Sequence, residues 1–411
     1  MNDVKTAAVA KFRAVYGREP EVAAYAPGRV EILGNHTDYN EGYVLSAAIN
    51  FGTYFLVAPR TDGLTRLTAG DLMETVEYDT ANPVATKAHG WSNYVKGVQA
   101  GLNVLMPPLR GVDALFFGNI PLGAGLSSSA ALEVSAGLAL SRMFGMDVEA
   151  LAMAKIAQQA EHRFAGVKCG LMDQMTSLFG KHHAMVWSDF RTLSVQTVPV
   201  GKKGSGVRGQ GSVSGLPPAE NGEGEICFLL CNTNARHALV DGAYNERRAT
   251  CEKAAHYFDS VLAHPVRALR DVSWAEWEAH RQGLDDLTAR RAAHPIGENE
   301  RVLSGVEALQ RGDVKAFGQL MYASHESSRN FFENSCPELD TLVEASRSVP
   351  GVFGARLTGG GFGGSVVVMT TPADAERVST ALRKAYTKTY GELCDTRVVV
   401  CSEGAKIVIN D

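Results

Sequence analysis

A chain of 411 residues has room for two or three domains. Its hydrophobic (45%) and charged (21%) fractions are those of an ordinary globular protein, and 40 basic against 45 acidic residues give a net charge of −5, which implies no basic surface large enough to suggest nucleic acid. The seven cysteines (169, 227, 231, 251, 336, 394 and 401) are odd in number and scattered, without Cys-x-x-Cys or zinc-finger spacing, as expected of reduced thiols.

In chain order, the first predicted element is an amphipathic helix, because Val4, Ala8, Phe12 and Val15 recur at helical spacing. Lys5 and Lys11 interrupt what a secretory signal would need as an apolar run. No apolar stretch reaches the ~18 residues of a membrane span, so no membrane partner and a cytoplasmic location are expected. Strand patterns follow at 21–25, 44–49, 53–58, 64–69 and 112–117, with helical patterns at 91–105, 129–144 and 148–164. Residues 201–224 are rich in Gly, Ser, Pro and charge, and read as an exposed excursion without a catalytic part. Beyond it come strands at 226–231, 351–357, 365–369 and 396–401. Helices are predicted at 241–262, 274–291, 304–310, 314–327, 337–346 and 373–390. Strands and helices do not alternate strictly, which favours α+β over a doubly wound sheet. The chain is expected to divide into domains 1–195 and 196–411.

Four stretches carry chemistry. In the first, Pro27-Gly28 and Gly34 bracket a short strand, and Asn35, His36, Thr37, Asp38, Tyr39 and Asn40 follow as a dense set of hydroxyl-binding side chains. A plain hydrogen-bonded turn would use the same residue types. The second, Pro121 to Ala131, is a glycine turn with three serines that opens into an apolar helix. Backbone N–H groups at such a helix start form an anion site, although Ser127, Ser128 and Ser129 would also serve as ordinary caps. No Gly-Lys-Ser/Thr follows, so it is not a Walker A loop. The third is Cys169-Gly-Leu-Met-Asp-Gln174, where Asp173 lies among apolar neighbours as either a buried working carboxylate or a helix cap. In the fourth, Gly359, Gly361 and Gly364 match Gly-x-Gly-x-x-Gly, but a strand pattern follows instead of a helix, so the dinucleotide reading fails.

Together these stretches resemble the GHMP superfamily of small-molecule kinases, and within it the galactokinase branch. The likeness spans nearly the whole chain: Gly28-Arg-Val, His36-Thr-Asp-Tyr39, Gly125-Leu-Ser-Ser-Ser-Ala130 and Gly359-Gly-Gly-Phe-Gly363. Trp91-Ser-Asn-Tyr-Val-Lys-Gly97, Asn234-Ala-Arg-His237 and Tyr244 with Arg247-Arg248 support it. It implies a two-domain α+β GHMP fold with the active site in the inter-domain cleft, ATP and Mg²⁺ as cofactors, and a small-molecule sugar as substrate of a monomer. The resemblance makes Asp173 and Arg29 the catalytic pair, with the cation keeping the carboxylate ionised. Asn35, His36, Asp38, Gly170 and Tyr244 match the sugar contacts. Trp91 matches a position near adenine, and Gly123, Gly125, Leu126, Ser127, Ser128, Ser129 and Ala130 the loop around the phosphates. Ser129 and Glu161 match the magnesium ligands. The implied reaction is phosphorylation of the galactose C1 hydroxyl. The alternatives are a kinase for galacturonate, N-acetylgalactosamine, fucose or arabinose, and a non-catalytic sugar and ATP sensor, against which the retained Ser129-Ala130 argues. Asn35 stands where such kinases commonly carry Glu, which points to altered preference at the sugar C6.

Overall fold

The computed structural model describes residues 2–105, 110–121, 123–201, 225–236 and 240–409. His237 and the segment 202–224 lie outside them. Helix α1 (Asn2–Tyr16) leads into strands β1 (Val22–Leu33), β2 (Tyr43–Pro59), β3 (Leu64–Ala69) and β4 (Glu74–Asp79). Helix α2 (Ser92–Leu105), strand β5 (Val112–Gly118) and helices α3 (Ser128–Met143), α4 (Ala150–Ala160) and α5 (Met172–Phe179) follow. Next come β6 (Ala184–Asp189), β7 (Ser194–Pro199), β8 (Cys227–Arg236), α6 (Val240–Val261), α7 (Trp274–His280), α8 (Asp286–Gln310) and α9 (Val314–Ser327). The chain closes with α10 (Pro337–Arg347), β9 (Gly354–Thr358), β10 (Gly363–Thr370), α11 (Ala375–Tyr390), β11 (Asp395–Val399) and β12 (Lys406–Ile409).

These elements form two compact units, residues 1–30, 47–181 and 402–411, and residues 31–46 and 182–401. The units are discontinuous in sequence because β1 and β2 each contribute to both, whereas the sequence pattern suggested a single cut at 195/196. In the first unit the strands run in the order β12-β1-β2-β5-β3-β4, with β3 and β5 parallel. Its main core packs Phe55, Val57 and Leu67 from the sheet against Val98, Leu132, Ala136 and Met153 from the helices. In the second unit β6 pairs with Tyr43–Ser46 of β2 and with β7, and a separate antiparallel sheet runs β11-β8-β10-β9. Leu357, Val366 and Val368 of that sheet pack against Leu339, Leu342 and Val378.

Three differences from the sequence pattern have physical causes. The patterns at 44–49 and 53–58 are one strand, because Gly52 does not break β2. A Cβ there would lie 2.4 Å from the Tyr25 ring, so the glycine admits a close neighbour. Helix α8 runs through Pro295, which the sequence pattern treated as a gap. Residues 291–299 are all buried, and that packing outweighs the roughly 3 kcal/mol a mid-helix proline costs. The pattern at 274–291 is broken where Asp285 caps α8 by accepting the Thr288 N–H at 2.9 Å.

Candidate active site

In the first unit, β1 carries the buried Arg29, whose Nε and Nη2 form a bidentate pair with Asp173 at 2.7 and 2.8 Å. Its Nη1 donates to the Gly125 carbonyl at 2.6 Å, and its backbone N–H to the Leu126 carbonyl at 3.1 Å. One arginine thus ties the carboxylate at the start of α5 to the glycine–serine turn before α3. Gly28 permits the approach: a Cβ there would lie 2.6 Å from the Leu126 oxygen. The Ser127 hydroxyl donates to the same carboxylate. Ser127 has φ 55° and ψ 54° and gives α3 no side-chain cap, so the capping role open to it in the sequence is not the one it takes. The first-turn N–H groups of α3 lack intrahelical partners, the arrangement that binds anions. Gly123 and Gly125, both at positive φ and exposed, and exposed Ser128 line this turn, while Leu126 and Ala130 anchor it in the interior.

Glu161 opens a π-helical turn after α4. Burial pushes its carboxyl up and the nearby Asp173 charge adds to this, while hydrogen bonds from Ser129 and Cys169 pull the other way. Glu133, fully buried on α3, is pushed well up by burial and then by Glu161, and its Oε1 has no partner. The Glu161 carboxylate and the Ser129 hydroxyl that donates to it are hard-oxygen donors of the kind Mg²⁺ takes. Among the described residues no group of three His, Cys, Asp or Glu could hold a metal by itself. Gly170 is buried in the turn before α5, whose Cys169 carbonyl is held by His162 Nε2 at 2.8 Å. Trp91, just before α2, donates its Nε1–H to Glu74 at 3.1 Å, and its ring lies 5.6 Å from that of Phe116.

The second unit gathers the other sequence candidates. His36 Nε2–H donates to the Gly360 carbonyl at 3.3 Å and its Nδ1 accepts from the Tyr39 hydroxyl at 2.7 Å. Its ring lies 5.0 Å from that of Tyr244 and 4.6 Å from that of Phe332. Burial lowers the His36 pKa to about 3, so the ring is neutral. Half-buried Asp38 accepts the Tyr39 N–H at 2.9 Å. Asn35 is only 1% exposed. Its Nδ2 donates to the Gly359 carbonyl at 2.8 Å and its Oδ1 accepts from Asn334 at 2.9 Å. The Asn35 amide therefore ties the loop after β1 to the glycine turn through Nδ2 and to Asn334 through Oδ1. The sequence reading missed Asn334 and the buried Glu298, which accepts the N–H groups of Gly34 and Asn35. An acidic residue on the apolar face of α8 was the available signal for the latter.

Residues 10–59 match the galactokinase galactose-binding signature, 93–181 the GHMP kinase N-terminal domain and 306–388 the GHMP kinase C-terminal domain. Among solved structures, a mevalonate kinase shares the fold at TM-score 0.61 and 16% identity, covering 93% of this chain and 99% of that one. The fold and the glycine–serine turn thus define a GHMP-type small-molecule kinase. A galactokinase of Haemophilus influenzae (strain PittGG) is 38% identical over 394 residues, 95% of each chain. One of Canis lupus familiaris is 39% identical over 385 residues, covering 92% of this chain and 91% of that protein. The Lactococcus lactis galactokinase solved with galactose superposes with TM-score 0.88 at 31% identity, over 98% of this chain and 99% of that one. The chain belongs to the galactokinase family and is an ATP-dependent sugar kinase.

Proposed function

We propose that the chain transfers the γ-phosphoryl group of ATP to the C1 hydroxyl of α-D-galactose, giving galactose 1-phosphate and ADP. The observation that carries this reading is Asp173 held by Arg29 and Ser127 beside the open N-terminus of α3. The C1 oxygen forms its bond to the γ-phosphorus as the bond to the β–γ bridging oxygen breaks. Asp173 takes the hydroxyl proton, a modest demand if the transition state is loose. Arg29 orients that carboxylate and offsets negative charge. The α3 N-terminus and the turn at 123–130 receive the phosphates, and Trp91 lies near the adenine. Mg²⁺, held by Ser129 and Glu161, would neutralise phosphate charge and polarise the transferred group. His36, Asp38, Gly170 and Tyr244 supply polar contacts and an apolar surface to the sugar. Asn35 acts by fixing the loop that bears His36 and Asp38. A cytosolic monomer is the setting we propose, and among the described residues no helix is long and apolar enough to cross a membrane.

The test is ADP release with Mg·ATP on galactose, 2-deoxygalactose, N-acetylgalactosamine, galacturonate, glucose, fucose and arabinose. Galactose is expected to give the highest kcat/KM. A better substrate elsewhere in the set would keep the chemistry and reassign the sugar, with Asn35 the first position to exchange for Glu.

A further inference from the structure

The loop between β1 and β2 in the second unit bears His36 and Asp38, two of the four residues assigned above to the sugar. It starts at Gly34 (φ 95°) and turns through one 3-10 turn at Asp38–Asn40. Thr37 ties it internally, its hydroxyl donating to the carbonyls of Gly34 and Tyr43 at 2.7 and 2.6 Å. Two consecutive residues of α8 grip its ends. Glu298 Oε2 accepts the N–H groups of Gly34 and Asn35 at 2.9 and 3.0 Å, and Asn299 Oδ1 accepts that of Tyr43 at 2.9 Å. Both α8 side chains are buried (0% and 7% exposed). Glu298 is itself fixed, because Ser324 donates to it at 2.9 Å, Arg301 pairs with it, and the fully buried Arg356 lies 3.7 Å away. The fit leaves little slack: a Cβ on Gly34 would lie 2.4 Å from the Tyr43 oxygen, and one on Gly42 2.4 Å from Asn299 Oδ1.

We infer that Glu298 and Asn299 are positioning residues for sugar recognition: α8 clamps the loop at both ends and so sets where His36 and Asp38 stand. This inference rests on the proposed reading that the loop receives galactose. A charged acceptor shared by two buried backbone donors is costly to lose, since both donors are then left unpaired inside the protein. In Glu298→Gln a single amide oxygen replaces two carboxylate oxygens and the charge facing Arg301 is lost, so the two loop N–H groups are held more weakly.

The experiment is calorimetric titration of galactose, and separately of ADP, into wild type, Glu298→Gln and Asn299→Ala, with steady-state kinetics alongside. Galactose affinity is expected to fall about tenfold in Glu298→Gln and a few-fold in Asn299→Ala. The rise appears in the KM for galactose, with kcat at saturating sugar and affinity for ADP both within about twofold of wild type. Should Glu298→Gln fail to fold, Asn299→Ala decides alone. Variants that melt earlier but bind galactose as tightly as wild type overturn the positioning role and leave the function standing. A wild type that binds ADP but no galactose overturns the functional reading, and this inference with it.

Discussion

Asp173 receives donors from two directions, a guanidinium fork and a serine hydroxyl, and is 23% exposed at the side chain. Asn at this position keeps the size but presents one acceptor in place of two and leaves Arg29 without its counter-charge. Asp173→Asn is expected to lower kcat by about 100- to 10,000-fold while galactose binding stays measurable. Near-wild-type turnover would remove Asp173 from the chemistry. His36 uses burial differently. Its folded pKa of about 3 lies below the 6.5 of an exposed histidine. Between those values the unfolded chain binds a proton that the folded chain does not. Stability is therefore complete above about pH 6.5 and is lost as pH falls, by about 1.4 kcal/mol per pH unit for this group. Buried His294, also lowered by burial, acts in the same direction. Urea unfolding at about pH 7.5 and about pH 5.5 measures this. The His36→Gln variant should lose less stability on acidification than wild type, and equal losses would contradict the assignment.

At the scale of elements, the crossing of α2 and α4 depends on one missing methyl group. A Cβ on Gly97 would lie 2.5 Å from Ala160 Cβ and 2.7 Å from Ala160 Cα, so the helices touch backbone to backbone just before Glu161. Gly97→Ala would gain helix propensity but force the pair apart, at a net cost of about 1–3 kcal/mol. A lowered Tm in calorimetry is the expected result, and an unchanged one would mean that the crossing relaxes freely. Helices were legible where the apolar period is clean: α9 spans Val314–Ser327 as its pattern predicts, and α6 and α10 agree within a residue. Strand β4 was not predicted: it is mostly exposed, and its apolar alternation amounts to Val76 and Tyr78 alone. The short α5 was not predicted as an element either, although its Asp173 was identified. The motif residues were legible through their order and spacing along the chain, since each turn by itself would use the same residue types. What Asn35 touches was not, because Gly359 and Asn334 lie some 300 positions away in sequence and only the fold joins them.

For the whole molecule, all seven cysteines are free, and burial is the leading cause that raises every one of their thiol pKa values. Protonated, enclosed thiols are poor nucleophiles. An aromatic disulfide reagent at neutral pH should therefore find almost no fast-reacting thiol in the native protein and all seven after denaturation, with Tm indifferent to added reductant. A fast-reacting native thiol would show that one of these sites opens. The uncapped start of α3 has a consequence for heat tolerance. On the proposed reading the first N–H groups of α3 receive the nucleotide phosphates, so bound nucleotide adds to the stability of the native state. At a nucleotide concentration about a hundredfold above Kd, mass action adds about 2.7 kcal/mol. A thermal melt with and without Mg·ADP should show Tm climbing with the logarithm of concentration. In a cell, the lifetime of this protein would then follow the adenylate pool: a starved cell would lose the enzyme sooner than a fed one.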